Sequence, residues 1–72
     1  MTIEDMPRAI IKSKLAENKM NVRDLIEKLK KLDENLTEQS FNNKMYRGTF
    51  SATFFFKCMV ALNVKDIRLL NI

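Results

Sequence analysis

Histidine and tryptophan are absent from this chain, and cysteine, glycine and proline occur once each. Each scarcity closes a class of explanation. A single Cys58 forms no internal disulfide, and without histidine the usual ligand sets for structural zinc are missing. No base stands ready to activate a serine, threonine or thiol nucleophile, no paired-carboxylate cleft can be argued, and one glycine cannot build a phosphate-cradling loop. The reading is therefore not an enzyme, with no cofactor, no metal and no small-molecule substrate. No run of about 18 apolar residues exists, so a membrane span is not expected. The first residues, M-T-I-E-D-M-P-R, are acidic and polar, unlike a signal peptide. A lone thiol suits a reducing compartment, and the expected location is cytoplasmic.

What is present is a short, basic, strongly patterned chain. Its 72 residues start at Met1 and contain no tag-like or linker-like segment, so residues 1–72 read as one small domain. Thirteen Lys and Arg against nine Asp and Glu give a formal charge of +4, which suits a polyanionic partner and is also common on proteins that bind none. At this size the apolar area that can be buried offsets chain entropy only narrowly. With disulfide and metal excluded, a second subunit is the remaining common support.

Few turn residues and apolar positions recurring at three and four predict an all-α fold, a compact bundle of four to five helices. Asp5, followed by Met6-Pro7, is expected to cap a first helix that turns Ile10, Ile11 and Leu15 inward and runs to about Lys19. Asn21-Val-Arg-Asp24 resembles a capping box, with Val22, Leu25, Ile26, Leu29 and Leu32 following at helical spacing. Asn63-Val-Lys-Asp66 echoes it ahead of Ile67 and Leu70, and reads as a second use of the same cap opening a fifth helix. Thr37 is placed to cap a third helix ending at Arg47, with Gly48 as its stop. A fourth helix is expected from a Ser51 or Thr49 cap to about Asn63.

The third helix carries the functional signal. At about 100 degrees per residue Phe41 and Met45 share one face, Gln39, Asn42, Asn43 and Tyr46 fall on the other, and Lys44 and Arg47 flank them. Exposed amides and guanidinium groups are the side chains that read base edges and hold phosphates. Glu38 at the helix N-terminus complements the dipole but repels a nearby phosphate.

The stretches I-I-K-S-K-L-A-E-N-K-M-N-V-R-D-L-I-E-K-L, from residue 10, and T-E-Q-S-F-N-N-K-M-Y-R-G, from residue 37, resemble the helix-turn-helix of phage repressor and Cro proteins. That resemblance implies a lambda-repressor-like DNA-binding fold. It would make Gln39, Asn42 and Asn43 base readers and Thr37, Lys44 and Arg47 phosphate contacts, with Tyr46 on the same surface. The connection from Leu29 to Thr37 is several residues longer than in the familiar motif, which changes the crossing of the second and third helices. A closer likeness lies in R-G-T-F-S-A-T-F-F-F-K-C-M, residues 47–59, which is similar to the signature of an uncharacterised bacterial domain family with a repressor-like helical fold.

Helix four is apolar nearly all round. Phe55, Cys58, Met59 and Leu62 follow the spacing of a core face, with the thiol as a small apolar filler. Phe54, Phe56 and Val60, with Leu69, Leu70 and Ile72, are the surplus assigned to a homodimer interface, the competing account being a fifth helix folded back over Phe56 and Val60. Two functions follow: a sequence-specific transcriptional regulator that binds double-stranded DNA, or a protein-interaction module of the same fold with no DNA role.

Overall fold

Four helices, each ended by a recognisable stop, are laid out by a computed structural model that describes residues 2–66. A single 3-10 turn, Ile3–Asp5, leads into α1 (Met6–Glu17). Then come α2 (Val22–Lys30), α3 (Glu38–Arg47) and α4 (Ala52–Ala61). No strand occurs among the described residues, in agreement with the all-helical reading.

Three of the N-termini form as their sequences dictate. The Asn21 side chain accepts from the Asp24 N–H at 2.8 Å while the Asp24 carboxylate accepts from the Asn21 N–H at 3.2 Å, the full reciprocal box. Thr37 Oγ1 accepts from Ser40 N–H, and Ser51 Oγ accepts from Phe54 N–H, each at 3.0 Å. Asp5 is the exception. The 3-10 turn already places it in a helical conformation, whereas a cap needs extended backbone, so its side chain caps nothing. Its carboxylate instead accepts from Thr2 Oγ1 and pairs with Arg8.

With one glycine to spend, the chain closes its other helices by different means. Gly48, at φ 69°, stops α3 in the left-handed region with its N–H on Lys44 O. Lys19, Asp33 and Asn63 take the same left-handed conformation, at φ 51°, 63° and 58°. Each donates its N–H to a carbonyl three residues back, and the residue after it donates to one five back: Met20 to Leu15, Glu34 to Leu29 and Val64 to Met59. These are Schellman closures built without glycine. They set two of the notable departures from the sequence reading: α1 stops at Glu17 rather than Lys19, and Asn63 terminates α4 instead of opening a new helix, since a left-handed residue is not an N-cap. Residues 64–66, which that cap was expected to lead into the fifth helix, are not helical, and the remainder, residues 67–72, lies outside the described residues.

The core collects Ile11 from α1, Leu25 and Leu29 from α2, Phe41 from α3, and Phe54, Cys58, Met59 and Leu62 from α4 and its end. Ile10, Leu15, Met45, Leu36 and Val64 pack around it, half-buried. One phase assignment is corrected here. Phe54 is buried to 4% exposure and belongs to the core, not to an interface, while Phe55 is only half-buried. The cause lies just before the helix: Phe50 stacks on Phe54 with ring centroids 5.6 Å apart, giving Phe54 an inward partner that three consecutive phenylalanines do not reveal by spacing.

Candidate nucleic-acid interface

Thr37 and Gly48 bound α3 so that its apolar pair, Phe41 and Met45, meets the core and the rest of its surface faces outward. Gln39, Asn42, Asn43 and Arg47 are exposed, and Tyr46 is 85% exposed. Thr37 is also exposed. Its hydroxyl oxygen serves as the cap, which leaves the O–H free to donate. Lys44 is half-buried, its ammonium 5.0 Å from the centre of the Phe54 ring, a cation–π contact that fixes the stem along the helix flank.

The residues do not form one uniform face. Ser40, Asn43, Lys44 and Arg47, spaced as neighbours along a helix, join Thr49 beyond the Gly48 stop to line a shallow groove of about 250 Å³. Gln39, Asn42 and Tyr46 stand outside it on the other flank of α3. Ser40 and Thr49 were not anticipated as site residues.

Two charged residues outside the motif shape this surface. Arg23 on α2 pairs with Glu38 at 3.5 Å, so the carboxylate that threatened to repel a phosphate is partly neutralised. Arg8 on α1 donates to the carbonyls of Tyr46, at 2.9 Å, and Met45, at 3.3 Å, both in the last turn of α3. The same guanidinium pairs with Asp5, whose carboxyl is held below the usual range by the hydrogen bonds from Arg8 and then Thr2. A methyl group added at Gly48 would meet the Arg8 guanidinium carbon at 3.4 Å, ordinary van der Waals contact, so what the position asks of glycine is its left-handed backbone, not space. Arg8 thus supplies cation and donors to carbonyls that the helix itself leaves open. Nothing in local spacing points from Arg8 to carbonyls some forty positions later, and no sequence signal exposes it.

Away from α3, Phe56 and Val60 lie one turn apart on α4, 57% and 65% exposed. Leu69, Leu70 and Ile72, grouped with them in the sequence reading, lie outside the described residues. Cys58 is fully buried, and burial first, then the charge of Glu34, pushes its thiol up to about 12. It is protonated at neutral pH. Among the described residues no group of three or more His, Cys, Asp or Glu is placed to hold a metal ion, and no helix is long and apolar enough to cross a membrane.

The class that these observations define is a small all-helical domain whose third helix turns a polar face outward. The chain belongs to a family described as a domain of unknown function, DUF6471, whose model matches residues 4–67. No curated protein and no solved structure matches it.

Proposed function

We propose that this protein is a sequence-specific DNA-binding transcriptional regulator of the repressor type, acting in the cytoplasm as a homodimer, with α3 as its reading helix in a lambda-repressor-like arrangement. The observation that carries the reading is the outward surface of α3. It displays Gln39, Asn42, Asn43, Tyr46 and Arg47 to solvent, and its one acidic residue is drawn toward Arg23. Amides of this kind pair with adenine edges, and guanidinium and ammonium groups with guanine or phosphate. Thr37 and Lys44 add phosphate donors at either end.

Self-association is supported by α4. Its exposed Phe56 and Val60 form an apolar pair, and the helix's one charged residue, Lys57, is engaged by Glu34 at 3.2 Å. An uncharged apolar strip can meet its own copy across a two-fold axis without burying a charge, and a two-fold pair would present two reading helices to a two-part site. The same strip also favours a second reading, in which the domain docks another protein and has no DNA role.

Titration of fluorescent duplex pools of varied sequence at two salt concentrations separates the two. Binding that weakens steeply with salt and differs between pools is the expected result. Binding that is absent or indifferent to salt rejects the DNA reading in favour of protein docking.

A further inference from the structure

We propose that the groove lined by Ser40, Asn43, Lys44, Arg47 and Thr49 is a seat for a single phosphate group, supplied by a nucleic-acid backbone; the identity of that source rests on the DNA reading above, the seat itself on its own geometry. All five lining side chains carry N–H or O–H donors, and no carboxylate stands in the wall. Neither Lys44 nor Arg47 is held in an ion pair among the described residues, whereas Arg8, Lys14, Arg23 and Lys57 each are. A larger cleft among the described residues, between the end of α1 and α2, makes the contrast: Asp24 and Glu27 stand among its lysines, and an anion there meets charge of its own sign.

A helix C-terminus ordinarily repels an anion, because its last carbonyls point outward with partial negative charge. In α3 that objection is reduced. The carbonyls of Met45 and Tyr46 accept from the Arg8 guanidinium, which adds positive charge where the dipole would place negative. The contact of Lys44 with the Phe54 ring orders its long stem before any ligand arrives, lowering the entropy lost on binding. The groove is too shallow and too polar for an apolar ligand, and its two cations more than offset the single negative charge of a backbone phosphate.

This divides the labour on α3. Asn43 becomes a phosphate donor alongside Ser40 and Thr49, and base discrimination falls to Gln39 and Asn42 on the opposite flank. Phosphate contacts set position and general affinity, while base contacts set preference, so the two groups respond differently to substitution.

The test has two arms on the whole chain. In the first, inorganic phosphate is titrated against chloride at matched ionic strength while backbone amide resonances are followed. Shifts at Ser40, Asn43, Lys44, Arg47 and Thr49 that vanish in Arg47→Gln are expected; phosphate that moves none of these amides overturns the seat. In the second, Asn43→Ala and Thr49→Ala, both at exposed positions, should each weaken every duplex about fivefold and leave the ranking of sequences unchanged. A change in ranking with Asn43→Ala overturns the assignment, returning that residue to base reading. Groove shifts with phosphate in a protein that binds no duplex would support the seat, assign it to a free anion, and reject the DNA reading.

Discussion

Arg8 shows how much a single side chain can settle. It joins the first turn of α1 to the last turn of α3, and in doing so fixes the end of the helix that carries Arg47. Removing it leaves two carbonyls with one partner fewer and Asp5 without its cation. Arg8→Ala is expected to lower stability by about 1 to 3 kcal/mol in urea unfolding, and Arg8→Lys to recover little, because an ammonium cannot reproduce the fork. Cys58 gives a second expectation, in pH. The folded chain holds the thiol proton up to about 12, while the unfolded thiol releases it near 9.0. The fold therefore binds more protons than the unfolded chain between those values. The stability this contributes is complete below pH 9 and is lost as pH rises toward 12, by about 1.4 kcal/mol per pH unit. Unfolding curves across that range should fall more steeply for the wild type than for Cys58→Ala; parallel curves would show that the thiol is not excluded from water.

At the scale of the element, each helix is decided mainly by its ends. Asn21, Thr37 and Ser51 each take a backbone N–H three residues on, and Asn21→Ala or Ser51→Ala should cost about 1 kcal/mol. The opposite ends are less comfortable. Lys19 carries a Cβ in a left-handed conformation that only glycine enters freely, and that aspartate and asparagine, as at Asp33 and Asn63, enter with modest cost. Lys19→Gly should raise the thermal midpoint, with a gain of about 1 kcal/mol, while Gly48→Ala should lose a similar amount. A Lys19→Gly variant that melts earlier than the wild type would mean that the gain in backbone freedom of its unfolded chain outweighs the relief of strain. Inside the elements, Leu25 and Phe41 are fully enclosed in the seam of α2 and α3, and each truncation to Ala should cost about 2 to 5 kcal/mol.

The whole molecule has a small core and an uncovered strip on α4, so its oligomeric state is open to direct measurement. Light-scattering mass across a dilution series should show a dimer for the wild type. Phe56→Glu, at a position 57% exposed, should stay folded and become monomeric, whereas Phe54→Glu, at 4%, should unfold the chain. A wild type that remains monomeric at high concentration removes self-association from the account. A Phe56→Glu chain that fails to fold would place that residue in an interior after all. Reading by α3 has its own check: Gln39→Ala should reduce discrimination between duplexes by about 1 to 3 kcal/mol, and Arg47→Ala should weaken all of them alike and flatten the salt dependence.

Periodicity and end chemistry were enough to determine the four helices, because caps and amphipathic spacing act within a few residues of chain. Asn21 with Asp24, Thr37 and Gly48 were legible for that reason, as was the inward pair Phe41 and Met45, while Ser51 was one of two candidate caps that the structure decides between. The same local logic failed where local alternatives were degenerate. Asp5 had the right side chain but the wrong backbone, already wound into a 3-10 turn. Spacing put Phe55 in the core and Phe54 at an interface, and Phe50 with the neighbouring helices selected Phe54 instead. The site divides in the same way. The outward set on α3 followed from the phase of one helix, a local quantity. The pairing of Glu38 with Arg23, the hold of Arg8 on the end of α3, and the groove that adds Ser40 and Thr49 all depend on how segments meet in space. Packing alone decides such contacts, since a charge in the sequence carries no record of which distant carbonyl or carboxylate the fold will bring within reach.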